Sequence, residues 1–162
     1  MNPRTHASRL GMAFTTFSAS LLLLFGCTAG GESPSAADGG GTTVNVTLQE
    51  WAVLPDPVSV PAGEVTFSIT NDGPEDVHEF VVIATDLDAG ELPTDETGAV
   101  DEAGEGIGEV VGEIEEVAVG ATEELTVSLD AGNYVLLCNI YSEEEAEAHY
   151  AMGMHTAFSV TE

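Results

Sequence analysis

The sequence predicts an all-β domain, a sandwich or barrel of short strands, carried behind a leader and a tether. Three observations predict it. Apolar and polar residues alternate with a period of two in several separate runs. Clusters of Gly, Pro, Asn and Asp punctuate those runs as turns. Two further runs are more continuously apolar, as central strands often are.

Taken in order, the chain opens with Arg4 and Arg9 ahead of an apolar, small-residue stretch from Gly11 to Phe25. A positive start, a short apolar run and a small-residue end read as a secretory signal. The run falls short of the roughly 20 apolar residues of a transmembrane helix. It closes on Leu24-Phe25-Gly26-Cys27, which resembles the bacterial lipobox. That resemblance implies cleavage before Cys27, lipid on Cys27, and export with anchoring to the extracytoplasmic (periplasmic) face of the cell membrane. More than one acyl chain makes such an anchor stable, since each buried CH₂ contributes about 0.8 kcal/mol. Thr28 to Gly41 is rich in Gly, Ser, Ala and Asp without periodicity. It reads as a flexible tether with a reach on the order of 20 Å. The expected organisation is a signal peptide at 1–26, lipidated Cys27 and linker at 27–42, and one domain at 43–162.

Within the domain, Val44, Val46 and Leu48 alternate with polar neighbours. So do Val65, Phe67 and Ile69, and later Leu125, Val127 and Leu129. Each set predicts a strand buried on one face. Pro61-Ala62-Gly63, Asn71-Asp72-Gly73 and Asp130-Ala131-Gly132 mark turns. His78 to Ala84 and Tyr134 to Ile140 predict the central strands. Thr85 to Gly108 is acidic and Gly-rich, with Pro93. It is expected to be a long solvated excursion carrying one helical turn.

Charge narrows the function classes. The formal charge is −27, and losing Arg4 and Arg9 with the leader takes it to −29. A surface of that sign excludes nucleic-acid and anionic-headgroup binding. It suits a cationic protein partner. No Lys or Arg remains to form an internal salt bridge, so stability must come from the core, from backbone hydrogen bonds and from a metal.

Without the leader the chain has Cys138, His78, His149, His155, Met152 and Met154 as its soft or metal-ligating residues. A lone thiol in an oxidising compartment needs protection, and metal ligation or deep burial supplies it. Thiolate, two imidazoles and a thioether form the ligand set of mononuclear blue-copper sites. Strand parity puts Tyr134, Leu136 and Cys138 on one face. It also puts Met154 with Phe158 and Val160, and turns His155 away. Met152 shares the parity of Met154 and competes with it.

Gly132-x-Tyr134-x₃-Cys138-Asn139 and His149-Tyr150-x₂-Gly153-Met154-x₃-Phe158 resemble the C-terminal copper loop of the cupredoxins, the plastocyanin and azurin group. Val60-Pro61-Ala62-Gly63-x-Val65-x-Phe67-x₃-Asn71-x-Gly73 is similar to their early strands. The resemblance implies a Greek-key β-sandwich from about Val44 to Glu162. It implies one copper ion held by His78, Cys138, His149 and Met154. It implies a non-enzymatic electron carrier whose partner is a cationic redox protein, such as a cytochrome c or an oxidase subunit. A copper-buffering or copper-delivery lipoprotein is the alternative. The oxidase and nitrite reductase chemistries need further His ligands, often as His-x-His pairs, whereas without the leader this chain has only His78, His149 and His155 and no such pair.

Two departures from the family pattern stand out. Residues 139–148 lengthen the span between Cys138 and His149. They bring four Glu near His149, expected to bulge outward and to favour Cu(II). Glu79 stands where many relatives carry an Asn that pins the Cys loop, which puts the rigidity of that loop in question. The family also places an apolar patch around its second loop His, here Tyr150, Ala151 and Met152.

Overall fold

The alternating runs fold as strands of two packed sheets in a computed structural model that describes residues 41–162. The expected signal peptide, the lipidation of Cys27 and the tether up to residue 40 lie outside the described residues. The strands are β1 (Thr42–Gln49), β2 (Ala52–Asp56), β3 (Ser59–Pro61), β4 (Gly63–Asn71), β5 (His78–Ala84) and β6 (Glu109–Val117). They continue as β7 (Thr122–Leu129), β8 (Gly132–Leu137), β9 (Tyr141–Ser142), β10 (Glu147–Ala148) and β11 (His155–Thr161), with a one-turn helix α1 (His149–Met152) before β11.

One sheet has the order β2-β1-β4-β7 and the other β3-β11-β8-β5-β6. The chain crosses between sheets after β2, β3, β4, β6 and β7, as the Greek-key expectation requires. Most neighbours are antiparallel, but β1–β4 and β3–β11 run parallel. The parallel pairing of Leu48 with Asn71 brings the ends of β1 and β4 to the same edge of the molecule. That edge carries the site.

The predicted faces are the buried faces. Val44, Val46, Leu48, Val65, Phe67 and Ile69 are sealed between the sheets with Phe80, Leu136 and Phe158. Phe67 meets Phe80 at 5.3 Å and Phe158 at 5.6 Å between ring centroids. Tilted and edge-on pairs of this kind add about 0.5–1.5 kcal/mol each beyond area burial. Tyr134 donates its hydroxyl to the carbonyl of Asp130 at 2.8 Å and closes the turn into β8.

Residues 85–108 differ from the expectation. They contain no helix and are not wholly solvated. Leu92 and Val100 are buried, and Leu87, Ala89 and Ile107 pack beside them on the outer face of the five-stranded sheet. The reason is that β5 and β8 are apolar on both faces. Val81, Ile83, Val135 and Leu137 face away from the sandwich core and need a cover. At about 25 cal/mol per Å², leaving those side chains in water costs more than ordering an acidic loop. The segment supplies five apolar anchors and keeps its carboxylates outward.

Candidate metal centre

Each site residue is placed by a short backbone argument. His78 is the first residue of β5, and Cys138 directly follows β8. The pairing of Val81 with Leu137 sets both at one end of the sheet. Met154 precedes β11, whose His155 pairs with Leu137. The Cys138 amide donates to the Met154 carbonyl at 3.0 Å, and the Met154 amide to the His149 carbonyl at 3.1 Å. Gly153 closes α1 in a left-handed conformation (φ 118°), so the chain turns sharply between His149 and Met154. A side chain with Cβ is strained there, which is why Gly occupies the position.

Three donors converge. His78 Nδ1 lies 3.2 Å from His149 Nδ1. Cys138 Sγ lies 3.4 Å from His149 Nδ1 and 4.0 Å from His78 Nδ1. The centre of that triangle is about 2 Å from each corner, the length of a first-row metal's bond to nitrogen or sulfur. The three residues are buried and form a group able to hold a metal ion. Met154 is fully buried in the same apolar cluster as Cys138, whereas Met152 is 43% exposed. Of the two competing methionines, only Met154 sits in the interior, and its carbonyl meets the Cys138 amide. His155 turns to the opposite face and packs on Tyr150, with ring centroids 4.8 Å apart.

Burial sets the protonation of the donors. It lowers both imidazoles from the ordinary His range, and for His78 the neighbouring His149 adds to the effect. Both are therefore neutral ligands at pH 7. Burial pushes the Cys138 thiol up to about 12, against the pull of the Ile140 and Glu79 amides. A metal must displace that proton to bind.

The long insertion after Cys138 is a small hairpin, β9 paired with β10, and it bulges outward as expected. Glu79 performs the pinning expected of the family's Asn. Its Oε2 accepts the Asn139 amide at 3.1 Å, and its own amide donates to Cys138 Sγ at 3.2 Å. Burial, with Glu102, Glu113 and Glu115 nearby, pushes its carboxyl up to about 7 despite the Asn139 amide. The Asn139 side chain bonds both backbone groups of Val100 and the Glu102 carboxylate. The Cys138 segment is thus tied to β5 and to the covering loop.

The expected apolar ring around His149 needs correction. Tyr150 is buried, its hydroxyl donating to the Ala89 carbonyl at 2.8 Å and accepting the Leu92 amide at 3.0 Å. A single helical turn separates consecutive side chains by about 100°, so Tyr150 cannot share the face of His149. His149 instead lines an open pocket of about 270 Å³ with Asp76, Val77, Glu116, Ile140 and Ser142.

Sequence reasoning missed two residues, Glu50 and Trp51. Trp51 packs edge-on against the His149 ring at 5.1 Å. Glu50 Oε1 lies 3.8 Å from His78 Nε2. Burial alone would raise the Glu50 carboxyl. The amides of Asp76 and Glu75, with His78, outweigh it and hold that carboxyl below its usual range. The only available signal was that Trp51 is the sole tryptophan of the chain.

No family profile and no curated protein matches the chain. Solved structures do. Reduced auracyanin from the photosynthetic bacterium Roseiflexus castenholzii is 21% identical, with 76% of this chain and 100% of that one covered and a TM-score of 0.50. Auracyanin B is 17% identical over 75% and 89%, with a TM-score of 0.51. The copper protein rusticyanin is 19% identical over 75% and 80%, with a TM-score of 0.50. The chain has the cupredoxin fold.

Proposed function

We propose that this protein is a mononuclear copper electron carrier, with His78, Cys138, His149 and Met154 as the ligands. The observation that carries the reading is the buried triangle of two Nδ1 atoms and one Sγ at 3.2 to 4.0 Å. Thiolate and thioether suit Cu(I), and imidazole suits both oxidation states. Copper held there supplies a reversible one-electron couple. The chain's part is to keep the donors in place through the change of charge. His78 and Cys138 are fixed by strands and by the Glu79–Asn139 bond, so they have little room to move. His149 reaches the pocket between Asp76 and Ser142, where a partner can come close to its ring. The acidic surface steers a cationic redox protein to that mouth, with strong salt dependence.

The test is spectroscopic. Cu(II) added to residues 41–162 should give an intense visible band with a type 1 electron paramagnetic resonance spectrum. It should also quench Trp51, the only tryptophan of the chain. A colourless protein overturns the reading.

Copper delivery is the second reading, supported by the exposed Met152 at the end of α1. Rapid loss of Cu(I) to chelators with slow self-exchange would favour it. The proposal extends to location: export, lipidation of Cys27, and attachment to the outer face of the cell membrane. Labelled fatty acid should enter the full chain and fail to enter Cys27→Ala.

A further inference from the structure

Among the described residues, two buried side-chain polar atoms have no hydrogen-bond partner, Nε2 of His78 and Oε2 of Glu50. They belong to groups that face each other, since Glu50 Oε1 is 3.8 Å from that Nε2. A buried polar atom without a partner costs about 1–3 kcal/mol, so two at one place call for a single explanation.

The carboxylate is held where it is. Its Oε1 accepts the Asp76 amide at 2.8 Å and the Glu75 amide at 3.3 Å. Gly73 clears the room for it, because a Cβ there would lie 2.7 and 2.8 Å from the two carboxylate oxygens. The turn from Asp72 to Val77 therefore closes over Glu50 and leads directly into His78. The second oxygen has no role in that turn.

We infer that Glu50 is a positioning residue of the metal centre: its carboxylate receives the Nε2–H of His78 and so keeps Nδ1 bare and aimed at Cys138 and His149. The inference rests on the copper reading for its use, though not for its geometry. A neutral imidazole carries one proton, and an acceptor behind one nitrogen assigns the proton there. The present 3.8 Å exceeds a hydrogen bond, and a movement of about 1 Å closes it. The 3.2 Å contact between the two Nδ1 atoms also needs one proton between them. With His78 protonated at Nε2, His149 is the donor in that contact. Glu50 further places a partly buried negative charge behind His78, which favours Cu(II) over Cu(I).

Glu50→Gln separates these roles from folding. The amide oxygen still accepts from Asp76 and Glu75, while the NH₂ group cannot accept from His78. Nitrogen NMR of the metal-free wild type should find the His78 proton on Nε2, and Glu50→Gln should give a mixture of tautomers. Cu(II) affinity, measured by chelator competition, should fall about 10- to 100-fold in the variant. Cu(I) affinity should fall less, so the reduction potential should rise. A wild-type His78 protonated at Nδ1 overturns the inference even when the variant fails to fold. An unchanged tautomer with an unchanged potential overturns it too. A wild type that takes no copper but keeps the Nε2 proton sinks the copper reading and leaves the role of Glu50 standing.

Discussion

His78 enters the centre from the end of a sheet strand, whereas His149 enters from a one-turn helix between a hairpin and β11. Both are nearly inaccessible, at 0% and 2% exposure. Their backing differs. Behind His78 lies the carboxylate of Glu50, and beside His149 lies the indole of Trp51 and then an open pocket. Two consecutive residues of the β1–β2 turn thus buttress the two imidazoles by different chemistry. The difference divides the labour within one centre. His78 is set by strand pairing and a fixed charge, and His149 is set by loop contacts that leave one side reachable.

The largest effect comes from removing the donor that both histidines share. Cys138→Ser should abolish the visible band completely, as absorption of the Cu(II)-loaded protein would record. Replacing each histidine by glycine then probes the contrast directly. His149→Gly should regain colour with added imidazole, since the ligand can pass through the Asp76–Ser142 pocket. His78→Gly should not, because its place is closed by Glu50 and the turn over it. Equal rescue of both would break the comparison.

Stability variants sharpen it further. Glu79→Ala removes the acceptor for the Asn139 amide on the strand side of the site. It should cost about 1–3 kcal/mol in urea unfolding. Tyr150→Phe removes the hydroxyl that ties the His149 helix to Ala89 and Leu92. A cost of about 1–2 kcal/mol is expected from the same measurement. The two changes should differ in kind, with Glu79→Ala broadening the copper spectrum and Tyr150→Phe raising imidazole access at His149. The smallest effect belongs to the hairpin charges. Changing Glu143, Glu144, Glu145 and Glu147 to Gln should raise the potential by on the order of 10 mV per charge in voltammetry, since exposed charges act through water.

Strand faces, and the residue types that gather as a donor group, were legible in the residues because both leave local signals. Alternation in Val44–Leu48 and Val65–Ile69 depends only on the two-residue pleat, and parity alone separates Met154 from His155. The spacing of Cys138, His149 and Met154 reflects one turn between two paired strands, which a short stretch of sequence encodes. The family pattern even located His78, 60 residues ahead of Cys138.

The covering loop and the buttress were not legible, and the cause is physical. Leu92 and Val100 look like scattered apolar residues of an acidic stretch until a sheet with two apolar faces needs them. Glu50 is one of 29 acidic residues, and nothing near it in sequence distinguishes it. Its place beside His78 exists because β1 and β4 run parallel and in register, so the turns that follow them emerge side by side. Local chemistry settled which atoms can hold a metal. Long-range strand pairing settled what stands behind each of them, since that pairing joins segments that share no local pattern.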